Sequence, residues 1–192
     1  GVVGVAVGTA ILSLLSRLVA QNDQAGALAA LNRAIELTLF LALPAMFAFL
    51  LVADELILTL FQRGHFSSAD SRATAFALTA YAVGLPAYVL VKVLGPAYFA
   101  RRDTRTPVLV ALVSVVVNVI LNLILMRYLA HAGLALATAI AAWVNVVLLW
   151  WILRRRGDLI ADGRLVERLA RAIAAFAGFD RVILVVHPDD MA

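Results

Sequence analysis

Lys92 is the only lysine of the chain, and it sits in the apolar segment VLVKVLGPAYFA, just ahead of Arg101, Arg102 and Arg105. On a helix, positions three and four apart share a face, so Tyr81, Gly84, Tyr88, Lys92 and Gly95 form one small or polar stripe among Val, Leu and Ala. An ammonium at bilayer depth costs about 2.5–3.5 kcal/mol on insertion scales, so it is expected to face protein, water or an anion. The alternative is structural: Arg101 lies close along the chain, and a lysine stem is long enough to snorkel to the interface.

Other polar residues repeat at helical spacing. Ser114, Asn118 and Asn122 fall at four-residue steps, as do Gly133, Ala137, Ala141 and Asn145. Small residues let helices approach and amides bond across the gap, so packing is one role and a polar groove lined by Asn118 and Asn122 the other. Gly4 and Gly8 make a GxxxG pair that reads as packing. Pro44, Pro86 and Pro96 remove backbone donors inside apolar runs and, with Gly84 and Gly95, are candidate hinges. Enzyme chemistry finds little support. Glu36 is the one acid within a span, and the sequence offers no second acid, histidine or serine that can be argued to complete a general acid/base pair with it. Asp54 and Glu55 fall at a span boundary, and His65, His131 and His187 are scattered. His187, Asp189 and Asp190 share one loop, which supplies too few constrained ligands for a divalent ion. No metal and no cofactor are expected.

The elements that must carry these residues follow from composition. Of 192 residues 64% are hydrophobic and only 15% charged, against about a quarter charged in a soluble domain. Apolar runs without alternation at 1–16, 34–53, 73–100, 106–126 and 132–153 predict an all-α membrane bundle of about five helices. Ser67 with Asp70 predicts a cap for the third helix, and Thr106 before Pro107 an N-cap for the fourth. The short link His131–Gly133 predicts antiparallel neighbours.

The net charge of +4 lies between the apolar runs, which argues for topology and against nucleic acid. Arg17, Arg33, Arg101, Arg102, Arg105 and Arg154–Arg156 flank alternate connections, whereas Arg63, Arg72 and Arg127 flank the others. The richer side is predicted to be cytoplasmic, with Gly1 toward the outside. Without cysteine there are no disulfides or thiolate sites. Residues 157–178 are amphipathic and basic, as a helix on the inner leaflet would be, and residues 179–192 read as a strand and loop. The opening at Gly1, with no leader pattern, reads as the interior of a helix.

The segments LALPAMFAFL, LTLFQRGHFSSAD, AYAVGLPAYVLVKVLGPAYFARRDTRTPV, GLALATAIAAWVNVVLL and LRRRG, in this order, resemble the MurJ (MviN) family of lipid II flippases within the multidrug/oligosaccharidyl-lipid/polysaccharide exporter superfamily. The resemblance runs over about Val2–Ala172. It implies a 14-helix, two-lobed transporter of the bacterial inner membrane. This would move undecaprenyl-pyrophosphate-linked peptidoglycan precursor outward by alternating access, with membrane lipids as surroundings. On that reading Lys92, Arg17, Arg101, Arg102 and Arg105 are candidate contacts for the pyrophosphate, with Asn118 and Asn122 beside them. The resemblance also implies that a first lobe, required for transport, is not part of this chain.

The stretch RAIAAFAGFDRVILVVHPDDMA resembles an interior piece of the methylerythritol phosphate cytidylyltransferase without its nucleotide loop, which suggests a fusion or a mis-joined frame. Two other readings stay open: another exporter of the superfamily, carrying drugs or polyprenyl-linked sugars, and a membrane anchor or assembly module without cargo.

Overall fold

The computed structural model describes residues 2–61 and 68–158, and they are helical almost throughout. Four elements succeed one another: α1 (Val2–Ala20), α2 (Gln24–Phe61), α3 (Ser68–Phe99) and α4 (Arg105–Arg156). Ser67 with Asp70, Arg63, His65, the segment beyond Asp158 expected to be an amphipathic helix and the tail with His187, Asp189 and Asp190 lie outside the described residues or side chains.

α2 begins well before its apolar stretch. Asp23 accepts a hydrogen bond from the Gly26 N–H at 2.8 Å, an N-cap three residues from its donor, and the alanine-rich run that follows favours helix. Arg33 is therefore inside a helix and not in a connection. Gln24–Arg33 adds roughly 15 Å at about 1.5 Å per residue.

α4 carries helical assignment over 52 residues, yet its chain doubles back. The Gly133 backbone lies against Leu125, with a built Cβ reaching 2.6 Å from the Leu125 carbonyl, and Asn118 Nδ2 stands 3.5 Å from Thr138 Oγ1. Residues eight and twenty apart touch only if the helix folds into a hairpin. The two arms, Arg105–Leu129 and Ala132–Arg156, are thus antiparallel neighbours. Each arm, together with α2 and α3, is long and apolar enough to cross a membrane, while α1 holds a shorter apolar helix.

α3 is the hub. It packs on α1, α2 and α4, and α1 does not reach α4. One core joins Leu15, Leu31, Ile35, Leu94, Tyr98 and Leu153. Outside it the surface is apolar: Val108, Leu112 and Leu123 are 60–67% exposed. Such a surface suits hydrocarbon and would aggregate in water. Pro44, Pro86 and Pro96 lie inside α2 and α3, which continue through them without a break.

Candidate functional site

The gap between α1 and α4, floored by α3, forms a groove of about 570 Å³ lined by Gly8, Thr9, Lys92, Phe99, Val108 and Asn145 among others. Its walls are overwhelmingly apolar, and Lys92 is the one cation among the described residues that line it. The Lys92 side chain is exposed along this groove and not packed into the core, whereas Val93 and Leu94 beside it are wholly buried. Asn145 Oδ1, from the second arm of α4, is buried with no hydrogen-bond partner among the described residues.

The stripe around Lys92 divides in two. Gly84 and Gly95 are buried, and the Tyr88 ring folds back over Gly84, so that a Cβ there would meet the ring at 2.7 Å. The Tyr88 hydroxyl is buried without a partner among the described residues, while Tyr81 is exposed. Trp143 Nε1 donates to the Val83 carbonyl at 3.0 Å, beside the turn where Pro86 withholds a donor.

The arginines gather at one end of the bundle. Gly8 of α1 touches Lys92 of α3, and further along both helices Leu15 shares a core with Leu94 and Tyr98, so the two run parallel and Arg17 and Arg101 each lie nine residues beyond the first contact. Arg17, Arg102 and Arg105 are exposed. Arg101 is engaged: its Nε is 3.0 Å from Asp158 and its Nη1 donates to the Ala97 carbonyl. Arg156 donates to Asp103 at 2.6 Å and to Thr106 Oγ1 at 3.0 Å. Tyr98, buried beneath, donates its hydroxyl hydrogen to the Leu149 carbonyl at 2.6 Å. Loop, hub helix and hairpin are tied together here.

Asp103 corrects the expected cap of α4. Thr106 lies in the first turn and is itself a donor, through its N–H at 3.0 Å and its hydroxyl at 2.6 Å, to the Asp103 carboxylate. Asp103 reaches this position because Arg102 takes a left-handed φ of 60°, turning the chain sharply after α3. The Thr106 hydroxyl and N–H, then the Arg156 guanidinium, hold the Asp103 carboxyl well below the usual carboxylate range. An acid three residues before a Thr-Pro was the available signal. Arg156 and Asp158 had none, because their partners lie some fifty residues away.

The three helix ends on this side share one construction. Asp23 N–H to Leu18 O with Asn22 N–H to Val19 O, Asp103 to Tyr98 with Arg102 to Phe99, and Asp158 to Leu153 with Gly157 to Arg154 are all Schellman pairs. Their left-handed residues are Asn22, Arg102 and Gly157.

Asn118 and Asn122 form a separate polar ladder between the arms of α4, away from Lys92. Asn122 Nδ2 donates to Asn118 Oδ1 at 2.9 Å, and Thr138 donates to the Leu134 carbonyl at 2.8 Å. Ser114 is buried and bonds back to Val110, while Ala137 and Ala141 are buried against neighbours. Among the described residues no three His, Cys, Asp or Glu side chains gather into a metal-holding group.

Comparison with known proteins places this arrangement. The family model described as Lipid II flippase MurJ matches residues 1–187, which takes in much of the stretch from Arg171 onward that the sequence set apart. Probable lipid II flippases MurJ from Rhizobium tropici and Rhizobium meliloti are 40% and 43% identical, over 96% and 92% of this chain. A solved structure titled Lipid II flippase MurJ, inward closed conformation, superposes with a TM-score of 0.76 at 27% identity, over 96% of this chain and 37% of that one. The chain spans about a third of the length of these curated relatives, 34% and 33%. It is a multi-pass membrane protein, and it belongs to the lipid II flippase MurJ family.

Proposed function

We propose that this chain supplies part of the translocation path of a lipid II flippase of the bacterial inner membrane, with Lys92 as a cation that meets the pyrophosphate of the cargo. The observation that carries the reading is the exposure of the single lysine along an apolar groove between α1 and α4, in a chain of this family. A pyrophosphate leaving water needs charge-assisted donors to replace its hydration, and an ammonium in low-dielectric surroundings supplies them. The exposed Arg17, Arg102 and Arg105 form the basic mouth from which such a headgroup is handed inward. Arg101 serves differently, through its pairing with Asp158. That mouth is the cytoplasmic end, as the positive-inside rule requires.

The chain is a third of its relatives' length, so the test belongs in a full-length protein that contains it. Lys92→Ala is expected to abolish lipid II export and complementation of a flippase-deficient strain, and Lys92→Arg to keep a part of both. Normal export by Lys92→Ala at normal membrane abundance rejects the assignment. Asn118→Ala, remote from the groove, is expected to impair export less than Lys92→Ala.

A further inference from the structure

Gly8 reads in the sequence as a packing glycine, and the fold shows what it packs on. Pro96 has no N–H, so the Lys92 carbonyl, four residues earlier, lacks its regular α-helical donor. Gly8 of α1 lies directly on that carbonyl: a Cβ built on Gly8 would stand 2.6 Å from Lys92 O and 3.9 Å from Lys92 Cβ. No side chain fits there without a shift, and the contact is with backbone, which cannot swing aside. The same α1 turn also walls the groove, through Gly8 and Thr9, into which the Lys92 side chain is exposed. One helix thus touches the lysine's main chain and bounds the space around its ammonium.

We infer that Gly8 is a positioning residue for Lys92: a bare Cα seated on the carbonyl that Pro96 leaves without its regular donor fixes how far α1 stands from α3, and with it how enclosed the ammonium is. Weak Cα–H···O contacts recur at helix crossings of this kind. The consequence for transport rests on the function proposed above, whereas the geometric claim does not.

Because Lys92 is the sole lysine, amine labelling reports on it alone once the N-terminal amine is resolved by peptide mass analysis. The chain is reconstituted in zwitterionic phospholipid vesicles and treated with a water-soluble amine-reactive ester. Gly8→Ala is expected to push α1 off α3 and raise the Lys92 labelling rate several-fold. Gly133→Ala meets the same kind of backbone clash, 2.6 Å from Leu125 O, between the arms of α4, and is expected to leave the rate unchanged.

Pro96→Ala gives the Lys92 carbonyl its own donor and is expected to raise labelling modestly. The double variant should label no faster than Gly8→Ala, since both changes act at one contact. Wild-type labelling in Gly8→Ala, an equal rise in Gly133→Ala, or two increases that multiply in the double variant would each overturn the inference. Should Gly8→Ala lose its helical circular dichroism, the rise in Pro96→Ala alone decides. Protection of Lys92 by added lipid II, measured by peptide mass analysis in a full-length protein that contains the chain, tests the function separately, so its failure leaves the positioning role standing.

Discussion

The two arms of α4 are made of similar material and are used in opposite ways. Arg105–Leu129 is the more apolar, yet only 11% of its most apolar stretch is buried, against 44% for Ala132–Arg156. What separates them is size. The buried positions of the second arm include Ala132, Gly133, Ala135, Ala137, Ala139 and Ala141, while the first arm presents Val, Leu and Ile outward. Where the solvent is hydrocarbon, an apolar side chain gains little by leaving it, so association depends on close backbone approach and van der Waals contact. In the first half of the second arm small residues therefore mark the buried face, whereas its far end buries Val146, Leu149 and Leu153 in the common core.

The widest expected gap between the arms comes from paired substitutions. Gly133→Ala places a methyl 2.6 Å from the Leu125 carbonyl and should destabilise the hairpin by about 1–3 kcal/mol, the usual range for overpacking. Leu112→Ala, at a position 60% exposed, should change stability by no more than about 0.5 kcal/mol, as surface substitutions do. Denaturation of the two variants in the same micelle checks this. Equal losses would mean that the first arm's outward face is covered by protein, and the contrast would fail.

The helical class was legible because length and apolarity alone demand it, and the reversal near His131 because a short link leaves no other geometry. The start of α2 was not. Gln24–Arg33 is too polar for a span, and only the Asp23 cap and the alanine run give it away. Lys92 was legible as an oddity, but spacing within one helix cannot name a partner on another. The pairing of Gly8 with the Lys92 carbonyl needed the fold, as did the ties from Asp103 to Arg156 and from Arg101 to Asp158. Whether the hairpin ladder of Asn118 and Asn122 takes part in transport is a separate proposal from the groove, because the structure sets the two apart.

A smaller effect, of opposite sign, is expected at the basic end. Arg102 adopts the left-handed conformation three residues past the end of α3, a place where glycine is preferred and a side chain costs roughly 1–2 kcal/mol. Arg102→Gly should therefore raise stability by about 0.5–1 kcal/mol, after allowing for the freer unfolded chain. Thermal unfolding in micelles measures it. Gly157, already glycine at φ 76° with nothing near its missing Cβ, gains nothing comparable, so Gly157→Ala should lose what Arg102→Gly gains. A loss in Arg102→Gly would show that the arginine side chain contributes more to the fold than its backbone costs. If export falls while stability rises, the arginine cation is kept for the headgroup at the cost of the backbone strain it carries.

The weakest dependence expected is on pH, and its sign follows from Asp103. Its carboxyl is held below the usual range by Thr106 and Arg156, so the folded state binds the proton less readily than the unfolded chain. The resulting stabilisation is fully present above the ordinary carboxylate pKa of about 3.9 and is lost as pH falls through the depressed folded value. Between pH 5 and 8 this site should leave stability flat, and in strong acid the tie between the α3–α4 loop and the end of α4 should loosen. The arms of the hairpin carry no such acid and should keep their order under the same treatment. Asp103→Asn removes the charge at every pH, so its stability deficit should be constant from pH 5 to 8 and shrink as the wild type is acidified. A deficit that instead changed between pH 5 and 8 would locate the titrating group elsewhere and break the assignment of Asp103 as the hub of the basic end.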